Sequence, residues 1–483
     1  MATNSLIVAF LIVPILLPLS AIATGFTPAG TLTHARTRHT ATVLNTGKVV
    51  VIGGYDLSAT AFSNNTESYD PATNVWTFLP NPTRKRFNHT ATLLDSGNVL
   101  VTGGLTSTGG TNTAELFQAA LNNWAGANTM AAARYGHAAT RLANGQVLVT
   151  GGFNGVASLA SAEIYDPANN QWKPAPAMTG ARDSHGSVLL ASAKVLVIGG
   201  YKDPLGVLAS AELYDPATNA WTGAGSLGTA RDAFTATVLA SGKVLVAGGA
   251  DSSGGILSSA ELYDPASNAW TFTGSMQHAR FAHAATLLPS GLVLVSGGGG
   301  VPSLNDKAEV FDPNTGIWSD VATLGTARTN HTQSLLANGQ VLVTGGEDDA
   351  GSLGSSELFV GAAASSTVLS TPCMLSFVSG QPFTLHAAVS GAKATDTAAF
   401  STDTSQTLCA AASFDNGIAS CTSNAMTTAG SDVSDVLTLT AHYSGNVDTE
   451  ASTSNTLQVT VLSASDVVWR QGFDVETVDC PIE

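Results

Sequence analysis

Seven arginines and seven glutamates recur one for one along this chain of 483 residues, and they are the first candidates for chemistry. Arg36, Arg86, Arg134, Arg182, Arg231, Arg280 and Arg328 each stand seventeen residues before a Gly-Gly doublet. A glutamate follows each doublet, at Glu67, Glu115, Glu163, Glu212, Glu261, Glu309 and Glu357. Guanidiniums hold carboxylates or phosphates through paired N–H donors, so such a series could take an anionic ligand. The competing expectation is structural: each arginine contacts a glutamate or a carbonyl and staples its own repeat.

Three residues after the arginines come His39, His89, His137 and His185, then Phe234, then His283 and His331. Imidazole is the commonest metal ligand. Regularly spaced histidines, one per repeat, are poorly placed to converge on one ion at bonds of about 2 Å. Phe234 in the fifth place points to space filling. The sequence therefore assigns no metal, no cofactor and no catalytic residue. Glu347-Asp348-Asp349 is the one dense charge cluster in the loops after the doublets, and a solvated loop explains it.

The elements that must position these residues follow from the repeat itself. The doublets begin at Gly53, Gly103, Gly151, Gly199, Gly248, Gly297 and Gly345, in steps of 50, 48, 48, 49, 49 and 48 residues. Such periods mark solenoids or propellers. Each unit reads as four short strands separated by turn residues, such as Asp95-Ser96-Gly97-Asn98 and Asp166-Pro167-Ala168-Asn169-Asn170. Second strands such as Lys243-Val244-Leu245-Val246 are apolar without alternation, as in sheets buried on both faces. Tryptophans close six units, at Trp76, Trp124, Trp172, Trp221, Trp270 and Trp318.

The doublet, the aromatic two residues after each glutamate and the spaced tryptophan resemble the kelch repeat over residues 26–361. The resemblance implies an all-β fold with a seven-bladed β-propeller, residues 24–361. In kelch propellers the arginine position lies near the mouth of the central channel, so the seven arginines are candidate channel-mouth contacts. The seventh unit ends at Phe359 without a tryptophan, and Phe26 lies ten residues before Arg36, as each tryptophan does before the next arginine. The segment Phe26 to Leu32 is therefore expected to supply the last strand of the last blade and close the ring.

Two flanking regions complete the organisation. Leu6 to Leu19 form an apolar run followed by Ala21-Ile22-Ala23, the pattern of a secretory signal peptide over residues 1–23, though the first five residues carry no Lys or Arg. No later segment reads as transmembrane. Residues 362–466 have strand-like runs and an Ala441-His442-Tyr443-Ser444-Gly445-Asn446 stretch that resembles the final hairpin of bacterial immunoglobulin-like domains, which implies a β-sandwich. Residues 467–483 form a tail, expected as a docked end strand plus a loose terminus. All four cysteines lie in this last quarter. Cys409 and Cys421 flank the turn signal Asp415-Asn416-Gly417 and are expected to pair, leaving Cys373 with Cys480. Asp432, Asp435, Asp448 and Glu450 match no calcium loop and read as a solvated acidic face.

The net charge of −16 and the mere 19 Lys and Arg exclude a nucleic-acid binder. The domain order is similar to that of galactose oxidase-like enzymes, whose copper site requires a propeller cysteine cross-linked to tyrosine. This propeller has no cysteine. The expected function is a secreted or cell-surface binding protein, non-catalytic, presenting the propeller to an extracellular protein or glycan. The alternative is a divergent carbohydrate-active or oxidase-like enzyme on the same scaffold.

Overall fold

The computed structural model describes residues 25–300 and 303–360 with their side chains, and several strands between residues 367 and 462 by their backbone. The chain divides into two compact units, one of them Gly25–Gly361. The expected signal segment, Cys373, Cys480 and the C-terminal tail lie outside the described residues.

The first unit contains seven four-stranded antiparallel sheets. We call them blades 1 to 7 in chain order, with strands A to D from the innermost outwards. In blade 1 these are Thr40–Val43, Val49–Ile52, Thr66–Asp70 and Val75–Leu79. The seven A strands neighbour one another in a closed circuit, and the last, Thr332–Leu335, meets the first. Every B strand is buried along its whole length, as the unbroken Val/Leu/Ile runs require of a sheet covered on both faces. The core is divided into seams between blades. Leu100 and Met130, for example, share one cluster with Val147 and Tyr165 of the next blade.

Blade 7 takes its D strand from the other end of the unit. Gly25–Pro28 pairs antiparallel with Ser356–Val360, with Phe26 opposite Phe359. The two rings lie 5.3 Å apart. The tryptophans make the same contact in the other blades, as in Tyr69 with Trp76 at 5.2 Å. Closure by the N-terminal strand follows the sequence expectation and leaves no sheet edge open at the seam.

The tryptophans themselves are mostly half-buried, because they sit on the outermost strands. Trp318 is the buried one. Each indole N–H donates to a carbonyl of the chain leading into its own blade: Trp76 to Gly30 at 2.8 Å, Trp124 to Pro80 at 2.7 Å.

The Gly-Gly doublets tie blade to blade. The second glycine's N–H donates to the carbonyl of the next blade's arginine, as in Gly104 to Arg134 at 2.9 Å. A Cβ on Gly103 would lie 2.5 Å from that carbonyl oxygen and 2.6 Å from His137 Cε1, and its φ is +60°. Glycine is needed at this position both for the close approach and for the left-handed backbone.

In the second unit, the strands Phe383–Val389, Asp435–Tyr443 and Leu457–Leu462 fall on the apolar runs of the sequence. Thr407–Asp415 pairs with Thr397–Thr402 and, at its end, with Ile418–Ser423. Asp415 stands opposite Ile418, so the turn signal makes a tight hairpin. Cys421 stands opposite Leu385 and Cys409 opposite Phe400, on two different neighbouring strands. The thiols lie outside the described residues. Among the described residues no helix is long and apolar enough to cross a membrane.

Candidate functional site

The resemblance implied channel-mouth ligand contacts for Arg36, Arg86, Arg134, Arg182, Arg231, Arg280 and Arg328. The structure places all seven guanidiniums inside the blades, with no accessible surface. In blade 3, Arg134 Nη2 donates to Glu163 Oε1 at 2.7 Å, and Nη1 donates to the carbonyls of Gly151 at 2.6 Å and Ser161 at 3.1 Å. The same bonds recur in blade 7, from Arg328 to Glu357 at 2.6 Å and to Gly345 at 2.9 Å. Each glutamate also accepts a backbone N–H from the segment before the arginine, such as Ala131 to Glu163 at 2.7 Å. Burial lowers the arginine pKa values, and the paired carboxylates oppose the shift. The Nη donors are committed to this staple, and burial keeps the guanidiniums away from the channel mouth, although Nε of Arg86, Arg134, Arg182 and Arg231 finds no partner among the described residues.

The histidines line the channel just inside these staples. Their Nε2 atoms meet hydroxyls on inner strands, as His89 does Thr40 at 3.0 Å and His283 does Thr235 at 3.0 Å. Burial, and then the charge of the neighbouring arginine, pushes His39, His89, His185 and His331 down to about 3. The imidazoles are neutral packing groups. Where Phe234 takes the histidine's place, the facing residue is Gly186, on which a Cβ would lie 2.9 Å from the ring.

Immediately before the histidines runs a ring of left-handed residues that the sequence does not advertise: Arg38, Asn88, Gly136, Ser184, Ala233, Ala282 and Asn330, with φ between +47° and +59°. Most donate their N–H to the carbonyl of their counterpart in the preceding blade, as Ser184 does to Gly136 at 2.8 Å and Arg38 to Asn330 at 3.1 Å. This circumferential belt rims a cavity of about 240 Å³, lined by Arg38, Asn88, Asn330 and the histidines beside them.

Outside the belt, the residue after each arginine bridges to the residue after each doublet. The bridges are Thr37 with Tyr55, Phe87 with Leu105, Tyr135 with Phe153, Asp183 with Tyr201, Asp232 with Ala250, Phe281 with Gly299, and Thr329 with Glu347. The B–C hairpins and the D–A segments thus share one face, and the A–B and C–D turns form the other. The turn face is repetitive, with pairs such as Lys48–Asp70 at 3.0 Å and Lys194–Asp215 at 3.2 Å. The hairpin face varies from blade to blade. Tyr55, Phe62 and Phe87 cluster with ring centres 5.3 to 5.4 Å apart. Asp183 and Asp232 are both held above the usual carboxylate range by burial, and each has an acidic neighbour: Asp203 acts on Asp183, and Asp183 on Asp232. Glu347 and Asp348 of the dense charge cluster also lie on this face, where Asn330 donates to Glu347 at 2.8 Å and Arg38 approaches it to 3.8 Å.

A metal centre finds no fitting donor set among the described residues. His278, Glu309 and Asp320 come close together. Glu309, however, already accepts from Arg280 at 2.6 Å and from the N–H groups of Gln277 and His278. A second positive charge there would compete with a buried guanidinium.

Comparison with known proteins agrees with this architecture. Residues 20–200 match the model described as the KLHDC2/KLHL20/DRC7 Kelch-repeats domain, and residues 194–228 and 233–277 match the Kelch motif. No curated protein sequence matches the chain. Among solved structures, the chain is similar to a novel fungal alcohol oxidase with catalytic diversity among the AA5 family, in complex with copper. The identity is 17%, the TM-score 0.60, and the match covers 91% of this chain and 100% of that one. At that identity the likeness concerns the fold. The repeats, the blade topology and these matches together identify residues 25–360 as a seven-bladed kelch propeller, similar to the galactose oxidase-like fold.

Proposed function

We propose that this chain is a secreted or cell-surface protein whose propeller binds an extracellular glycan or protein, without catalysis, through the hairpin face around the channel mouth. One observation carries the reading. The positions identical in every blade are all explained by architecture, whereas the positions after the arginines differ from blade to blade and present half-buried aromatic and carboxylate groups on one face. Scaffolds keep their repeated residues for packing, and loops on a rigid scaffold carry recognition. Propellers host many functions, so the site rather than the fold supports the reading.

Glycan-array and peptide binding by the mature protein, with calcium and with EDTA, tests it. The expected result is binding to one ligand class that is reduced by at least one hairpin-face change among Tyr55→Ser, Phe87→Ser and D183N/D232N and untouched by changes at the turn face, such as Lys194→Ser. Binding that follows the turn-face change instead would reject the hairpin face. Release of peroxide from alcohols by the copper-loaded chain would reject the non-catalytic part.

A further inference from the structure

The hairpins of blades 3 and 4 are joined to each other by a buried hydroxyl. Ser158 Oγ donates to Asp183 Oδ2 at 2.7 Å and accepts the N–H of Asp203 at 3.0 Å. This junction holds two aliphatic tips in solvent, Val156 at 82% exposure and Leu205 at 73%. At the base of the blade 3 hairpin Tyr135 and Phe153 meet edge to face, with ring centres 5.6 Å apart. Asp183 has Asp203 and Asp232 as acidic neighbours, Asp251 follows Ala250, which bridges to Asp232, and Lys202 is the adjoining cation. None of the four carboxylates has an ion-pair partner among the described residues. Two large exposed aliphatic groups beside an uncompensated negative field are unusual on one small surface, since exposed apolar patches mark interaction sites.

We propose that the blade 3 and blade 4 hairpins form a docking surface for a polypeptide segment that carries a lysine or arginine next to apolar residues. The cationic side chain would reach the Asp183–Asp232 side, and its apolar neighbours would cover Val156 and Leu205. Charge complementarity selects the occupant: the surface has four carboxylates against one lysine, and an acidic segment would be repelled. The aliphatic tips select a polypeptide over a sugar, whose hydroxyls would lose water against Val156 and Leu205 without gaining partners. The inference rests on the hairpin-face reading and deepens it by naming the partner's chemistry.

Panning the full chain with a phage-displayed random dodecapeptide library tests the proposal. The expected result is enrichment of peptides with Lys or Arg beside an apolar residue. Synthetic copies should lose about tenfold or more in affinity when that basic residue becomes norleucine, a change made on the peptide and so independent of protein folding. The protein variants D183N/D232N and V156S/L205S should each weaken the same peptides comparably. No enrichment, enrichment of acidic peptides, or affinities indifferent to the norleucine change would overturn the proposal. Basic peptides that respond to Tyr55→Ser but not to D183N/D232N would overturn it while leaving the hairpin-face reading intact. Glycan or peptide binding unaffected by any hairpin change would remove both.

Discussion

The N–H of Gly346 donates to the carbonyl of Arg36 at 2.9 Å, joining the last doublet of the propeller to its first arginine. It is the closing member of the series that links every blade to the next. A second closure lies further out, where Phe26 stands opposite Phe359. The ring is thus fastened at two radii, once by the backbone near the channel and once by a borrowed strand at the rim.

Removing residues 25–32 tests the outer fastening. The truncated chain should melt well below the full one, because blade 7 loses a strand and Phe359, Leu294 and Val341 lose cover from their cluster. Exposing such apolar surface costs roughly 25 cal/mol per Å². An unchanged melting temperature by calorimetry would mean that the strand is dispensable and that closure rests on the doublets.

The arginine staples predict large and specific losses. Glu163→Gln leaves the Arg134 guanidinium buried without its counter-charge, and breaking a buried pair in this way costs about 3 to 5 kcal/mol. Arg134→Met combined with the same Glu163→Gln should cost less than the sum of the two single changes, because the unpaired buried charge disappears, even though the Gly151 and Ser161 carbonyls still lose their donor. Urea unfolding of the four proteins measures this. Additive losses would show that the two side chains do not act as a pair.

Two sets of titrating groups should oppose each other in the dependence of stability on pH. The six channel histidines have pKa values far below the ordinary 6.5, so their contribution is present above pH 6.5 and is lost as pH falls towards about 3. Asp183 and Asp232 are shifted upwards, so their contribution is full at low pH and is lost as pH rises through their folded values. D183N/D232N should therefore raise the melting temperature at pH 7 and bring little change near pH 3. A variant that melts lower at pH 7 would contradict the burial and mutual repulsion of these carboxylates.

Much of this architecture is legible in the sequence because it repeats. The offset of seventeen residues from arginine to doublet reports one hydrogen-bonded staple built seven times, and Phe26 reports closure because it keeps the spacing of the tryptophans. What repetition cannot convey is the direction of a side chain. Arginine at a channel-mouth position suggests a ligand, yet the carbonyls of Gly151 and Ser161 and the carboxylate of Glu163 capture Arg134 first. The belt through Arg38, Ser184 and Ala282 is equally hidden, because its shared property is a positive φ rather than a residue type. The Asp183–Asp232 neighbourhood escapes detection for a further reason. Its members lie 49 residues apart and meet only because successive blades stand side by side.

The tryptophans offer a graded test of how burial sets energy within one repeated position. Trp318 is buried among Met276, Val295 and Phe311, so Trp318→Ala removes a packed ring and should cost about 3 to 5 kcal/mol. Trp124 keeps the same hydrogen bond, to Pro80 at 2.7 Å, but lies half-exposed at the rim of its blade. Its truncation surrenders less buried area and leaves the Pro80 carbonyl open to water, which satisfies it at little cost. Trp124→Ala should therefore destabilise clearly less than Trp318→Ala in the same urea titration. Equal losses would show that the shared indole-to-carbonyl bond, rather than burial, sets the worth of this position in every blade.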